Sequence, residues 1–255
     1  MNPKIHIVVL NWNGSKYLRE CIESLKSINY LNYIITVIDN NSVDNSILSI
    51  NDLEVNLVSH NHNYKYAKGY NKAIFNIKND NSEFYLLLNN DTICDKEILN
   101  AFIEAIKKYG HNSIMGAKIL YTSNKNRIWY AGGKFGFSNF FVSHRGIRQI
   151  DSEKYSHDLE TDYITGCCML VSKESFFSLK GFNESFDMYG EDVDFSIRAQ
   201  KLGLKCYYIS KAKLWHNVSS SYGGQHSIRK NIKKFSSLFK LLLKHPKRLI
   251  FRKSI

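Results

Sequence analysis

The residues best suited to chemistry lie in the segment from Gly181 to Arg198. The segment contains five acidic residues, of which four lie in or just after a loop bounded by two glycines: Glu184, Asp187, Glu191 and Asp192. The whole chain has a net charge of +12, so this acidic loop contrasts with its surroundings. An amphipathic helix is expected to follow, opened by Asp194, with Phe195, Ile197 and Leu202 on its apolar side.

Two other features point to related chemistry. Asp91 ends the run Leu-Leu-Leu-Asn-Asn-Asp, and His216 follows Leu-Trp. A carboxylate after an apolar strand suits a hard cation that bridges diphosphate oxygens, because Mg²⁺ and Mn²⁺ favour one or two carboxylates with phosphate and water. Asp192 is expected just before a helix, whose dipole would keep it ionised as a general base. Together these residues predict a metal-assisted site for an anionic substrate.

Each of these residues also has a structural interpretation when it is taken alone. Asp91 could cap the helix predicted at residues 96–108, and His216 could be a structural hydrogen-bonding residue. Asp192 could be a helix N-terminal carboxylate without a chemical role. Asp39, which follows the second predicted strand, could accept a hydrogen bond from a nucleobase imide or a ribose hydroxyl, or could cap a turn.

The composition limits the class of protein. At 255 residues, the chain is long enough for one domain or two fused halves with a substantial core. No run approaches the roughly 18 apolar residues of a membrane span, and no signal-peptide region argues for secretion. Five cysteines without paired CxxC spacing predict reduced thiols in a cytosolic protein.

The basic excess is concentrated at the C-terminal end. Residues 228–255 contain ten Lys or Arg and no acidic residue, which leaves about +2 for the rest, so nucleic-acid binding by the main body is not indicated. A helical projection of this tail puts Ile232, Phe235, Phe239 and Leu242 on one apolar face. The opposite face is predicted to be basic and contains Lys233, Lys240 and Lys244. Such a helix suits an anionic membrane surface, or it packs on the domain with its basic face in solvent.

The first half of the chain alternates strand and helix patterns. The predicted strands cover residues 4–10, 33–38, 55–59 and 84–88, and the predicted helices cover 15–28, with Ser15 as N-cap, 44–50 and 67–78. This alternation predicts a parallel sheet, in which ligands bind beyond the carboxyl ends of the strands. Polar clusters fall at four such ends, at Asn11–Gly14, Asp39–Ser42, His60–Asn63 and Asn89–Asp91.

The second half is less regular, with strands predicted at residues 113–121, 162–172 and 205–209. The loop after the first strand has a single glycine, Gly14, which argues against a GxGxxG dinucleotide site. His60 and His62 have no third or fourth ligand in range and are predicted to be loop residues.

The order and spacing of these motifs resemble the inverting glycosyltransferases of family 2 over nearly the whole chain. The matching segments are residues 7–14, 37–42, 67–71, 86–92, 165–171, 181–198 and 216–220. The Asn-Trp-Asn-Gly and Tyr-Gly-Glu-Asp-Val-Asp runs are most similar to the bacterial rhamnosyltransferase branch.

The resemblance implies an α/β GT-A fold, with a mostly parallel Rossmann-like sheet flanked by helices and a basic C-terminal helical tail. Its implied parts are a nucleotide-sugar-binding half at residues 1–110, an acceptor-binding and catalytic half of the same domain at 111–227, and the tail at 228–255.

The resemblance also implies a role for each candidate residue. Asp39 would contact uracil or thymine, and Asp192 would deprotonate the acceptor hydroxyl. Asp91 would bind Mg²⁺ or Mn²⁺ on the diphosphate, and His216 would be a second protein contact to that metal or to its phosphates. The other expected substrate-binding residues are Asn11, Asn13, Asn41, Gly69, Asn71, Asn90, Gly166, Glu191 and Arg198. The family's DxD region has one carboxylate here, and Lys65 stands where a glycine is frequent. Lys65 either extends toward the sugar or phosphates or is solvated.

The expected reaction is inverting transfer of a sugar, with rhamnose as one option, from a UDP- or dTDP-sugar to a glycan or lipid-linked glycan of the bacterial surface. The expected location is the cytoplasm, with attachment to the inner face of the membrane if the tail binds lipid. Two alternatives are a non-catalytic sugar-nucleotide or glycan-binding protein and a nucleotidyltransferase. Asp91, Asp192 and His216 argue against the first, and the absence of a glycine-rich basic loop after the first strand argues against the second.

Overall fold

The computed structural model describes residues 2–136, 141–186, 188–218 and 228–250. The first half of the chain alternates strands and helices, as its pattern predicts. The elements are β1 (Ile5–Asn11), α1 (Leu18–Lys26), β2 (Tyr33–Asp39), a 3-10 helix (Leu48–Ile50), β3 (Asn56–Ser59), α2 (Lys65–Asn76) and β4 (Phe84–Asn89).

The second half adds short strands around two long ones. Its strands are β5 (Thr92–Cys94), β6 (Ser113–Tyr121), β7 (Ile128–Tyr130), β8 (Gly133–Gly136), β9 (Phe141–His144), β10 (Leu159–Glu160), β11 (Cys168–Ser172) and β12 (Lys205–His216). Its helices are α3 (Ile98–Tyr109), a 3-10 helix (Glu153–Tyr155), α4 (Lys173–Ser178), α5 (Glu191–Lys201), α6 (Ile228–Lys244) and α7 (Pro246–Ile250).

One sheet runs through both halves in the order β10-β12-β6-β11-β4-β1-β2-β3, with β5 and β7 added at β12 and β6. β1 is parallel to β2 and β4, β2 is parallel to β3, and β12 is parallel to β6. β11 is antiparallel to both β4 and β6, so it begins at the edge where those strands end. The sheet is continuous across residue 110, and the division of the domain there stays a prediction.

The central strands are buried on both faces, which explains their unbroken apolar runs. Leu86, Leu87 and Leu88 of β4 are fully buried, and successive side chains point to opposite faces. Leu86 and Leu88 pack in the cluster that includes α1 and α3, whereas Leu87 packs in the cluster that includes α2 and α4. The helices therefore hold the strand ends, where the predicted site lies, on a rigid frame.

Two predicted helix starts are wrong. α1 begins at Leu18, and the N–H of Ser15 donates to the carboxylate of Asp44, so Ser15 does not cap this helix. α5 begins at Glu191, three residues before the predicted start at Asp194, because the left-handed residue Gly190 (φ 91°) precedes it.

Other boundaries differ because short local patterns do not specify strand pairing. The predicted strand 162–172 is limited to β11, and the predicted strand 205–209 extends through β12, with a register shift between Ile209 and Lys213. Residues 44–50 contain only a 3-10 helix. Leu202, predicted to be on the apolar side of α5, lies beyond its end and is 60% exposed.

The C-terminal tail packs on the domain through one side of α6 and α7. Leu241, His245 and Leu249 are buried in this contact. The prediction that Leu242 is the last residue of the exposed apolar face is wrong. Leu243 is exposed in that position, and Leu242 is half-buried. Among the described helices, none combines the length and the apolar character that crossing a bilayer requires.

Candidate active site

The candidate residues lie at one edge of the sheet. Asn11, Asp39 and His216 are the last residues of β1, β2 and β12. Asp91 follows β4 after one intervening residue, and Gly166 precedes β11 at the same edge. The parallel strands therefore bring together residues that are far apart in the sequence.

Asp91 and His216 form a buried pair. His216 Nε2 lies 3.1 Å from Asp91 Oδ1, and both side chains are less than a tenth exposed. The pairing of β5 with β12 causes this contact, because it sets Thr92 opposite His216 and the N–H of Asn217 donates to the Asp91 carbonyl at 2.8 Å. Since β5, rather than a helix, follows Asp91, the interpretation of Asp91 as a cap of the next helix is wrong.

The Asp91–His216 pair fits a divalent cation that takes its other ligands from elsewhere. Within the described residues, no group of three or more His, Cys, Asp or Glu could hold a metal ion. His216 Nδ1 is buried and has no hydrogen-bond partner in the described part of the chain. A carboxylate and an imidazole are ligands that Mg²⁺ or Mn²⁺ accepts when diphosphate and water complete the coordination.

The ring of His216 lies against an aromatic cluster that the sequence motifs do not reveal. The ring centroids of His216 and Trp129 are 4.6 Å apart, in an edge-on arrangement. Trp129 also contacts His144 edge-on, with their ring centroids 4.5 Å apart. Burial lowers the pKa of His144 to about 4, so its ring is neutral at physiological pH. This packing orients His216 without adding a positive charge beside the proposed cation site.

Asp192 lies in the first turn of α5 and is tied to the segment before β11. Its Oδ2 accepts from the N–H of Gly166 at 2.9 Å, and its Oδ1 accepts from the N–H of Val193 at 2.8 Å. Burial nevertheless raises the pKa of Asp192 above its ordinary value, although both N–H groups oppose that shift. The prediction that Asp192 lies just before the helix is wrong, because it is the second residue of α5, and burial there opposes the ionisation that the helix dipole favours.

Glu191 is a buried carboxylic acid next to Asp192. Burial, together with the charge of Asp192, raises the pKa of Glu191 to about 8. Its Oε2 atom is buried, and no described residue gives it a hydrogen bond. Glu191 therefore holds a proton at neutral pH, which is costly for stability and typical of functional sites.

Gly166 is enclosed on both sides. Its carbonyl accepts from the hydroxyl of Tyr66 at 2.6 Å, and its N–H donates to Asp192. A Cβ atom at this position would lie 2.5 Å from the Tyr66 oxygen. Glycine is required here because the backbone passes too close to Tyr66 for any side chain.

The residues predicted to bind the sugar nucleotide lie at the ends of β1, β2 and β4, and several of them are joined by hydrogen bonds. Asn90 Nδ2 donates to Asn11 Oδ1 at 2.6 Å, and Asn11 in turn donates to Ser42 and Ser46. Asp39 is half-buried, and its Oδ1 accepts from the N–H of Ser42 at 3.2 Å. Asp39 therefore lies partly exposed at the end of β2, beside this hydrogen-bonded group.

Asn13 and Asn41 are exposed beside this group. Both adopt left-handed backbone conformations, with φ of 51° and 62°, which asparagine tolerates better than most residues. Asn13 Oδ1 accepts from the N–H of Val43 at 2.8 Å and so joins the two loops. Nearby, the ammonium group of Lys65 lies 5.7 Å from the ring centre of Trp12, and Lys65 is half-buried rather than fully solvated.

Two of the predicted substrate-binding residues, Gly69 and Asn71, have contacts within the protein instead. Gly69 is buried in α2, where an added Cβ would lie 3.2 Å from Asn40 Nδ2. Asn71 exchanges hydrogen bonds with the backbone of Phe182, at 2.8 and 2.9 Å. Both residues therefore fix α2 against neighbouring segments.

Arg198 likewise uses its guanidinium group within the protein. It donates to Asp194 at 2.7 Å and to the carbonyls of Leu179 and Gly181 at 2.6 and 2.8 Å. These contacts give Arg198 a structural role in holding the acidic loop. Asp187 and Ser220, which belong to matching motifs, lie outside the described residues.

Comparison with known families agrees with this geometry. The model of glycosyl transferase family 2 matches residues 6–178, and the chain belongs to that family. A second model, described as the N-terminal domain of galactosyltransferase, matches residues 146–220, which include Gly166, Asp192 and His216. The family prediction is confirmed.

Curated relatives of similar sequence include a rhamnosyltransferase and an O-antigen biosynthesis protein. Rhamnosyltransferase WbbL of Escherichia coli K12 is 24% identical over 263 aligned residues, which cover 98% of this chain and 94% of WbbL. The O-antigen biosynthesis protein RfbC of Myxococcus xanthus is 25% identical over 231 residues, which cover 86% of this chain and 18% of RfbC. This chain thus corresponds to a small part of RfbC.

Solved structures share the fold at low sequence identity. GalNAc-T7, crystallised with UDP, GalNAc and Mn²⁺, superimposes with a TM-score of 0.71 at 15% identity, covering 93% of this chain and 48% of that protein. The mannosyltransferase PcManGT of Pyrobaculum calidifontis, in complex with GDP-Man and Mn²⁺, gives 0.68 at 14% identity, covering 97% and 65%. The predicted α/β GT-A fold is confirmed.

Proposed function

We propose that this protein is an inverting, metal-dependent glycosyltransferase that moves a sugar from a UDP- or dTDP-sugar to an acceptor hydroxyl of a bacterial surface glycan. The observation that supports it most strongly is the placement of two chemically different centres at one sheet edge. One is the Asp91–His216 pair at 3.1 Å, and the other is Asp192, hydrogen-bonded to Gly166 at 2.9 Å.

In the proposed reaction, the ionised Asp192 accepts the proton of the acceptor hydroxyl. The acceptor oxygen then forms a bond to the anomeric carbon while the bond from that carbon to the diphosphate oxygen breaks. A single displacement inverts the anomeric configuration and needs no covalent intermediate, so a second carboxylate as nucleophile is unnecessary. Mg²⁺ or Mn²⁺ held by Asp91 and His216 would offset the charge of the departing diphosphate.

The donor nucleotide is proposed to bind along the ends of β1 and β2. Asp39 is available there to accept from the imide N–H of uracil or thymine, and Asn11, Asn13, Asn41 and Asn90 supply amides around it. Gly69, Asn71 and Arg198 are proposed to support substrate binding indirectly, because they hold the surrounding segments and do not contact the substrate themselves.

Rhamnose is the sugar that the relatives favour. Besides WbbL, a Mycobacterium tuberculosis N-acetylglucosaminyl-diphospho-decaprenol L-rhamnosyltransferase is 36% identical over 61 residues, which cover 24% of this chain. Its name includes a polyprenyl-diphosphate acceptor, and a lipid-linked acceptor is therefore proposed here. Use of a cytosolic sugar nucleotide on such an acceptor would occur at the inner face of the cell membrane. The five cysteines, all free and buried, suit that reducing compartment.

The test is a transfer assay with purified full-length protein, Mn²⁺ and a synthetic polyprenyl-diphosphate-linked N-acetylglucosamine. dTDP-L-rhamnose and UDP-hexoses are offered separately, and the anomeric configuration of the product is read by NMR. Transfer with inversion is the expected result. Transfer with retention would contradict the proposed single displacement, and a lack of transfer together with a lack of UDP or dTDP binding would favour another function.

A further inference from the structure

Helix α6 presents two opposite faces. Its inner face includes Ser237 and Leu241, which are 7% and 3% exposed against the domain. Its outer face consists of Ile232, Phe235, Phe239 and Leu243, which are 62%, 74%, 62% and 67% exposed. The spacing of three, four and four residues puts these side chains on one stripe. Four large apolar side chains in solvent along one stripe form the kind of patch that marks an interaction surface.

The inner face holds the loop that leads into α5. Ser237 Oγ donates to the carbonyl of Met188 at 2.9 Å, and Lys240 Nζ donates to the carbonyl of Ser185 at 2.8 Å. Leu241 packs beside Gly190, where an added Cβ would lie 3.1 Å from its Cδ1 atom. These contacts tie the outer stripe rigidly to the segment that precedes Glu191.

A second bond joins the tail to α5 itself. His245 Nε2 lies 2.9 Å from Asp194 Oδ1, and both side chains are buried. Burial opposes the ionisation of Asp194, but hydrogen bonds from His245 and Arg198 outweigh it and lower the pKa of Asp194. The ionised Asp194 therefore links the end of α6 to the helix that begins with Glu191.

The charge of the tail identifies the partner. Residues 228–255 contain ten Lys or Arg and no acidic residue. Lys233, Lys240 and Lys244 each directly follow a member of the apolar stripe, which places them on one flank of it, about 100° further round the helix. Lys244 is exposed on this flank, and Lys240 reaches from it to the carbonyl of Ser185. Two copies meeting face to face through this stripe would bring like charges together, whereas an anionic lipid surface attracts them.

We infer that the outer face of α6 docks on the surface of an anionic phospholipid bilayer, with Phe235 and Phe239 in its interfacial layer. Because the inner face of the same helix contacts Ser185, Met188 and Gly190, docking brings the acceptor side of the active site to the membrane. This inference deepens the proposed function, since it gives a lipid-linked acceptor a defined route to Asp192.

Vesicle flotation of the full-length protein tests the inference. Vesicles of phosphatidylglycerol and phosphatidylcholine are compared with vesicles of phosphatidylcholine alone, at low and high salt. We expect the protein to float with the anionic vesicles, less at high salt, and the Phe235→Ser/Phe239→Ser variant to bind at least about tenfold more weakly. Leu31→Ser, which removes a 98% exposed leucine elsewhere, is the matched control and is expected to bind like the wild type.

Three outcomes would overturn the inference: no binding of the wild type to anionic vesicles, equal binding of the double variant, or a wild-type dimer in sedimentation velocity that the double variant abolishes. A far-UV circular dichroism spectrum and a thermal unfolding curve that match the wild type confirm that each variant is folded. Flotation needs neither donor nor turnover, so a protein that binds vesicles but transfers no sugar would contradict the proposed function alone.

Discussion

The carboxylate of Asp192 accepts a hydrogen bond from the backbone N–H of Gly166, with Oδ2 and N 2.9 Å apart. The next residue, Cys167, accepts a hydrogen bond from the N–H of Asn89 at 3.1 Å, and Asn89 is the last residue of the strand before Asp91. A short path of backbone contacts thus joins the proposed base to the proposed cation ligand. Neither group depends on a long flexible loop for its position.

The pH dependence of transfer should show two transitions. The kcat/KM value should rise with pH as Asp192 loses its proton, above the ordinary aspartate range because burial raises its pKa. It should fall again near pH 8, where Glu191 ionises and places a second negative charge beside the base and the anionic donor. Glu191→Gln should keep the rise and lose the fall, whereas the exposed control Glu104→Gln should keep both. Persistence of the fall in Glu191→Gln would show that another group causes it.

Glu191 should also make folding stability depend on pH. Its pKa is raised in the folded state, so the folded protein binds more protons than the unfolded chain between the ordinary glutamate pKa and about 8. Stability from this group is therefore lost as the pH rises through that window. Glu191→Gln should raise Tm at pH 8 relative to the wild type by at least about 2–4 °C, which is about 1 kcal/mol at this chain length, and by much less at pH 5. Thermal scans at both pH values measure this, and an equal shift at both would contradict it.

Asp91→Ala should remove the metal dependence of nucleotide binding. Calorimetry of UDP and dTDP with Mn²⁺ and with EDTA should show a Mn²⁺ enhancement of at least about tenfold, or about 1.4 kcal/mol, in the wild type. Asp91→Ala should bind with the same affinity in both conditions. Asp95→Ala, at the residue that follows β5, is the control and should retain the enhancement. An undiminished Mn²⁺ effect in Asp91→Ala would exclude Asp91 as the ligand.

Local pattern in the sequence predicts the strands of the first half well. The apolar runs that become β1, β2 and β4 are buried on both faces, and the polar residues that end them lie together because parallel strands share an edge. The placement of Asp39 and Asp91 at that edge follows from strand order alone. Their chemical roles stay predictions.

Pairings between distant segments could not be predicted in this way. Trp129 lies edge-on against His216, and His245 is hydrogen-bonded to Asp194, although no spacing or motif connects either pair. Arg198 was expected to bind substrate because it belongs to the motif, but its donors point to the loop that it holds. The strand β5 is three residues long, too short to give a periodic signal, yet it sets the Asp91–His216 contact.

The most direct test of the proposed active site separates transfer from donor binding in Asp192→Asn. The amide keeps one oxygen, which can accept from the N–H of Gly166, so the site should stay folded. It loses the acceptor for the N–H of Val193 and cannot take the proton of the acceptor hydroxyl, so the base is removed. We expect kcat to fall by about 10²–10⁴-fold, while the calorimetric affinity for the donor nucleotide with Mn²⁺ stays within about twofold of the wild type. Transfer near the wild-type rate, or a loss of donor binding as large as the loss of rate, would contradict the assignment of Asp192 as the general base.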